Sequence, residues 1–429
     1  MPASRGAIRM NTWSGRIIPL IAIAANAYVL YVITKSIAVD YLLQPTLNYI
    51  PKRRAIATVF IALQYILAIP TFSSWLRYAI AILTNPGYTP QNQKPRRRGS
   101  SRTRSSSQRR SRSASRTRDE KRKSDGNMNI DRHAVREGTD PTPPGLEHFY
   151  RKQVFTCSTD GVPSFCERCW AWKQDRVHHC KELNRCVSRF DHYCPWVGGI
   201  VGETSHKFFI QFAFYASLYS GFIFASCLWA VVQSKKDCHS SPVCNRGWLN
   251  PHWIVAIALA GIFGFMAFGI TLKFGHSVLK NRTTIEELAM GHPNYCVAIR
   301  INPSEIPPVS SDGKPKFWVV PYPFRPQTSG PTDQHSRRNE FLYAILYPKP
   351  GSHIWDLGWN RNWRDLMGNH VIDWFLPIKL SPCLDHGNLL SDYPLGKDFE
   401  ELEKTYLPHR YKNGIRRIPL DEGWVEMTA

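Results

Sequence analysis

Four blocks of apolar residues, separated by polar and basic stretches, organise this chain. Ile17 to Ile33, Ile56 to Leu83, Phe208 to Val232 and Trp253 to Leu272 each approach or exceed the ~20 residues that a helix needs to cross hydrocarbon. Phe208 to Val232 contains no charged residue, so a buried soluble helix is a poor alternative there. The first block is the weakest: it carries Pro19 and Asn26, and Arg5, Arg9 and Arg16 precede it. Signal peptides have a shorter apolar core of ~7–15 residues and end on a small-residue cleavage pattern. Its 17 residues without such a pattern favour a retained span. The pattern therefore predicts an α-helical integral membrane protein with four transmembrane helices, at 17–33, 56–83, 208–232 and 253–272. Arg77, near the end of the second block, is read as an anchor whose long side chain snorkels to the headgroups.

Between the second and third blocks the character changes twice. Lys94 to Lys123 holds 14 Lys/Arg, many Ser and almost nothing apolar, which predicts a disordered linker. Such a strip would neutralise nucleic-acid phosphates well, but a polybasic stretch directly after a membrane span is more economically a patch for anionic lipids, worth ~1 kcal/mol per basic residue near the surface. A solvated spacer is the blander alternative. Because this segment supplies so much of the +22 net charge, the charge says little about the folded parts. The basic excess beside the second span places residues 85–207 in the cytosol, together with both termini. Cys238 and Cys244, between the third and fourth blocks, then face the other side, where a disulfide and two free thiols are both compatible.

The cytosolic segment contains the chemistry. Cys166-x2-Cys169, with His179 and Cys186 downstream, offers three thiolates and one imidazole, the set that a tetrahedral structural zinc accepts. His178 is read as a bystander. Further on stands Asp191-His192-Tyr193-Cys194-Pro195-Trp196. Cysteine attacks as its thiolate and needs a neighbouring base or positive field; His192 and Asp191 can supply both. The combination points to a thiol enzyme held at a membrane surface.

These motifs resemble the DHHC-type protein S-acyltransferases (palmitoyltransferases), in particular fungal members with a DHYC core. The match runs from Cys166-Glu-Arg-Cys169 through His179-Cys180 and Cys186 to the DHYC motif. Asn85-Pro86-Gly87 is similar to the family's DPG motif, Thr283-Thr284-Ile285-Glu286 to its TTxE motif, and Asp356 to Trp363 to a segment of many members' tails. The apolar blocks, the linker composition and the motifs together divide the chain into residues 1–90 as the N-terminal segment with the first two helices, 91–150 as the basic linker, 151–207 as a zinc-binding catalytic domain, 208–272 as the last two helices and 273–429 as a cytosolic tail, the resemblance itself covering roughly 15–90 and 160–370. It also implies that Cys194 carries the acyl group, His192 takes its proton and Asp191 orients the imidazole. The expected substrates are a long-chain acyl-CoA and protein cysteines near the membrane, with the chain buried among the four helices.

Family members hold two zinc ions, and the resemblance assigns Cys166, Cys169, His179 and Cys186 to the first. The second set falls on Cys180, Leu183, Tyr193 and Ile200. Three of those four offer no good donor, so one zinc is expected, with a small packed cluster in place of the second. Two other readings stand beside the enzyme: a zinc-containing adaptor that has lost catalysis, and a membrane-tethered binder acting through the basic linker. The tail beyond Pro303, rich in Pro and Trp, is expected to form no separate core. Cys157 and Cys296 are possible self-acylation sites.

Overall fold

A computed structural model describes residues 5–45, 50–93, 145–240, 249–289, 295–306, 317–323, 341–412, 415–420 and 423–427. The basic linker and Cys244 lie outside the described residues; Cys238 is disulfide-bonded. Four helices are long and apolar enough to cross a membrane. Helix α1 (Arg5–Tyr31) continues as a π-helical segment, Val32–Leu43; α2 is Arg54–Thr84, α3 His206–His239 and α4 Pro251–Leu279. Each runs longer than its apolar block, because helical hydrogen bonding continues past the point where side chains turn polar. Lipid offers no partner for backbone groups, and beside Pro70 the Thr71 and Ser73 hydroxyls donate to the carbonyls of Leu67 and Pro70.

Most of the helix surface faces outward, as a lipid-embedded bundle requires, and small or aromatic residues fill the middle. Tyr41, Ala57, Ala68, Ile223, Cys227, Ala230, Trp253 and Ala256 form one buried cluster. Several polar groups at its edge pair with one another. Arg53 makes a bidentate bond to Asp237 (2.8 and 2.6 Å), to which Tyr41 also donates at 2.7 Å. Gln64 donates to the Tyr219 hydroxyl at 2.6 Å.

The segment between α2 and α3 is built from two-stranded antiparallel pairs: β2 (Phe165–Cys166) with β3 (Ala171–Trp172), β4 (His178–Cys180) with β5 (Arg185–Val187), and β6 (His192–Cys194) with β7 (Gly199–Val201). Pairs this short are not stable alone, so packing against the rest of the chain must hold them. The chain leaving α2 supplies part of that support. Gly87 adopts φ +70°, and its carbonyl accepts from Ser188 at 2.9 Å. Thr89 donates to the Cys186 carbonyl (3.0 Å) and Asn92 to that of Cys169 (2.9 Å).

A four-stranded antiparallel sheet, in the order β1-β8-β10-β9, joins β1 (Val154–Cys157) to three strands of the tail, β8 (Cys296–Ile301), β9 (Trp318–Tyr322) and β10 (Phe341–Leu346). One face buries Phe155, Tyr322, Tyr343 and Ile345; the other buries Val297, Ile299, Trp355, Phe399 and Leu402. This departs from the expectation of a tail without a core. The tail shares its core with the strand that precedes the cysteine-rich segment, a pairing across about 140 residues that local composition does not reveal. Cys157 and Cys296 are register partners in this sheet and both are buried, so neither thiol is presented to a membrane.

The β6–β7 hairpin docks onto α1 at Gly198. Its φ is +78°, and a Cβ there would stand 2.8 Å from the Gly15 carbonyl oxygen and 3.0 Å from Pro19. Gly198→Ala is therefore expected to lose roughly 1–3 kcal/mol of stability, read as a lowered thermal midpoint of the detergent-solubilised protein, with reduced activity. An unchanged midpoint would show that α1 does not pack on the hairpin in this way.

Candidate active site

Strand alternation sets the chemistry of the β6–β7 hairpin. Successive side chains point to opposite faces, so His192 and Cys194 share one face and Tyr193 takes the other. On the first face the His192 ring stacks on Phe274 of α4, centroids 5.2 Å apart, and meets Phe209 of α3 edge-on. Asp191, 2% exposed, lies 2.7 Å from His192 Nδ1. An ionised carboxylate only accepts, so Nδ1–H donates and Nε2 is left for the Cys194 thiol, with which the ring is hydrogen-bonded. Burial works against charge on the ring, but the bonds and charges of Asp191 and Cys194 outweigh it and raise His192 to about 9. Burial likewise penalises the Asp191 carboxylate, and its bond to His192 with the neighbouring histidine and Thr284 donors still holds its pKa below the usual range.

What aims Asp191 is the TTxE-like motif. Thr283 caps a short helix, α5 (Thr284–Leu288), through a capping box with Glu286. Thr284 donates to Asp191 twice, from its backbone N (2.7 Å) and its Oγ1 (2.9 Å). Glu286 in turn is gripped by Arg176 at 2.7 and 2.8 Å. Burial works against the Glu286 charge, yet the Arg176 guanidinium keeps its pKa at about 2. Arg176 also donates to the side chain and carbonyl of Asn281, whose Oδ1 accepts from Arg189 and whose Nδ2 donates to the Trp355 carbonyl. Arg176, Arg189 and Asn281 carry no recognisable spacing, and sequence reasoning missed all three. The tail segment 356–363 closes the arrangement: Asn362, fully buried, donates to the Leu279 carbonyl at the end of α4.

Cys166, Cys169, His179 and Cys186 converge, their ligand atoms all within 4.8 Å of one another, and could hold a metal ion. His179 Nδ1 stands 3.5, 3.4 and 3.8 Å from the three sulfurs. Metal–S bonds of ~2.3 Å and metal–N bonds of ~2.0 Å in a tetrahedron give edges of about 3.5–3.8 Å, so the donor set fits. His178 sits on the opposite face of β4, lining a cavity beside Arg176 and Glu286.

The second set behaves differently. Cys180, Val187, Phe190 and Ile200 form a buried cluster with Tyr193, Ile82 and Ile285 against it. Leu183 does not join: it is 36% exposed, a correction to the expectation that it packs there. Tyr193 instead reaches toward α1, where its hydroxyl lies against Gly15. The nearby Glu182 accepts from Asn11 at 3.0 Å.

Below Cys194 a partly open apolar cavity of ≈140 Å³ runs between the helices, lined by Trp196 and Val197 of the hairpin and by Val29, Tyr219, Ser220 and Ile223 of the helices. From Phe209 to Ile223 along α3 is about 21 Å at 1.5 Å per residue.

Residues 160–290 match the model of the DHHC palmitoyltransferase family. Two curated relatives named palmitoyltransferase pfa5 are similar over nearly the whole chain. That of Aspergillus fumigatus is 36% identical over 92% of this chain and 90% of its own length, and that of Emericella nidulans 33% identical over 92% and 86%. Palmitoyltransferase PFA3 of Saccharomyces cerevisiae is 27% identical over 58% of this chain and 60% of its own. The chain belongs to the DHHC palmitoyltransferase family.

The raised His192 pKa carries a stability signature. Its stabilising share is complete below about 6.5, the ordinary value, and is lost as pH rises through about 9, with an upper bound of roughly 3–4 kcal/mol. The thermal midpoint of the native protein should therefore exceed that of His192→Gln most clearly at pH 6, with the gap closing by pH 9.5. A gap that widens over this range would contradict the assigned charge state.

Proposed function

We propose that this protein transfers long-chain acyl groups from acyl-CoA to protein cysteines, with Cys194 as the acyl carrier, His192 as the proton-transfer group and Asp191 as the group that orients and charge-stabilises it. The observation that carries the reading is the shared face of β6: the Asp191–His192–Cys194 group stands directly over an apolar cavity whose lining extends along α3 from Phe209 to Ile223. S-palmitoyl transfer is the family's activity.

In the first step Cys194 Sγ, its proton held by His192, attacks the thioester carbonyl carbon. A new S–C bond forms, the bond to the CoA sulfur breaks, and the departing thiolate takes the proton from His192. In the second, the substrate cysteine gives its proton to His192 and attacks the Cys194 thioester, returning Cys194. Exchange of one thioester for another is nearly balanced, so position and thiol activation are what the protein supplies. Each CH2 buried in the cavity contributes ~0.8 kcal/mol, which favours long chains over acetyl.

Cys166, Cys169, His179 and Cys186 would hold one structural zinc, which braces the hairpins and takes no part in bond making. At Cys180, Leu183, Tyr193 and Ile200 the donors present do not fit a metal. The cysteine-rich domain and both termini are read as cytosolic, with the basic linker against anionic lipid.

Incubation of the detergent-purified protein with a labelled palmitoyl-CoA analogue should give hydroxylamine-sensitive label that is lost in Cys194→Ser. No label on a protein with its metal intact would favour the adaptor reading. Metal analysis should return about one zinc per chain, and removing it should unfold the hairpins. A ratio near two would sink the argument from Leu183, Tyr193 and Ile200.

A further inference from the structure

Residues 371–380, Val-Ile-Asp-Trp-Phe-Leu-Pro-Ile-Lys-Leu, follow helix α6 (Trp359–Met367) in the tail and begin with the short helix α7 (Val371–Phe375). Six of their side chains are apolar and open: Val371 59%, Ile372 67%, Phe375 47%, Leu376 46%, Ile378 65% and Leu380 57% exposed. An isolated exposed Leu means nothing, but a contiguous apolar patch does. Ten residues are too few to span hydrocarbon, and a length of this order is that of an interfacial segment.

The backbone of this segment is treated as if no water reached it. Gln211 of α3 donates to the carbonyls of Asp373 (3.2 Å), Trp374 (3.0 Å) and Leu376 (3.4 Å), and Tyr215 to that of Phe375 (2.9 Å). Arg77 of α2 donates to the carbonyls of Pro377 (3.0 Å) and Ile378 (2.7 Å). Six consecutive carbonyls thus accept from side chains of two membrane-spanning helices. In water such bonds are unnecessary; in lipid every backbone polar group must find a protein partner. The donors also give a depth. Counted from the ends of the apolar blocks at Leu83 and Phe208, Arg77 lies six residues in and Tyr215 seven, about 9 and 10 Å along the helices. The Arg77 guanidinium, expected to snorkel outward, is turned over the Phe208 ring and used here.

We propose that residues 371–380 form a wedge inserted among the lipid acyl chains of the leaflet nearest the cysteine-rich domain, so that the tail is anchored by the bilayer as well as by protein contacts. Phe375 meets Phe214 of α3, ring centroids 6.5 Å apart, and Lys379 at the segment's edge, paired with Asp373 at 3.4 Å and 65% exposed, suits the headgroup level. The inference rests on reading the four helices as membrane spans.

The full-length protein would carry a genetically encoded fluorescent amino acid at Ile372 or Ile378, in phosphatidylcholine nanodiscs with or without brominated acyl chains. Probes at Phe265, an outward residue of α4, and at Lys404 of the tail serve as references. Quenching by brominated lipid at 372 and 378 should match that at Phe265 and exceed that at Lys404 severalfold, with iodide quenching in the reverse order. Iodide quenching equal to that at Lys404 would overturn the wedge and leave a water-exposed patch. Shielding from both quenchers would overturn it in favour of a protein partner. Failure of brominated lipid to quench at Phe265 would instead refute the span reading itself, and the wedge with it.

Discussion

The Arg176–Glu286 ion pair is the constraint on which the site depends. Arg176 has a fully buried guanidinium, and such a charge is tolerable only if its donors are matched; here Glu286 and Asn281 take them. Glu286 belongs to the five-residue helix that also presents Thr284 to Asp191, so capturing the glutamate fixes the aim of the whole relay. The backbone is bent to make this possible. Arg176, Arg189 and Asn281 have φ of 59, 42 and 51°, a left-handed conformation that costs an L residue roughly 1–2 kcal/mol each. Three such residues meeting in one network indicates that their bonds repay the strain.

The same hairpin that carries the relay shows how the fold manages without a second ligand set. A structural metal contributes about 10–16 kcal/mol of apparent folding energy, far more than the ~1.5–3 kcal/mol of burying one apolar side chain. Ile200 and Tyr193 therefore cannot replace it alone. The hairpin also makes contacts with the spans: Tyr78 donates to the Ile200 carbonyl at 2.9 Å, Gly199 lies against Ile82, and Gly198 lies against Gly15 and Pro19. The β6–β7 hairpin is thereby bound to α1 and α2, and its position relative to the cavity is set by these helices.

Several polar residues within the spans are engaged with protein. Arg53 and Asp237 pair at the end of the bundle far from the active site, Gln64 meets Tyr219 beside the cavity, and Arg77 and Gln211 serve the tail. In a medium without hydrogen-bonding solvent these pairings cost little to keep and much to break, which makes them determinants of how the helices and the tail assemble.

Much of this was legible in the sequence. Apolar length alone gave the four helices, because lipid selects on composition and not on partner. The spacing of Cys166, Cys169, His179 and Cys186, and the adjacency of Asp191, His192 and Cys194, pointed to the two clusters that the structure brings together, because local sequence can encode proximity over a few ångströms. What the sequence did not disclose is long-range. Arg77 looked like a headgroup anchor until the tail, three hundred residues on, supplied carbonyls for it. Leu183 and Ile200 read alike as apolar substitutes, yet one is exposed and one buried, since the face a hairpin turns inward depends on what docks against it. Arg176 and Asn281 had no signature, and the sheet that unites β1 with the tail had none either. Each is decided by which surfaces meet, and only the tertiary structure fixes that, since the free energy of burying a polar group or closing a sheet belongs to both partners at once.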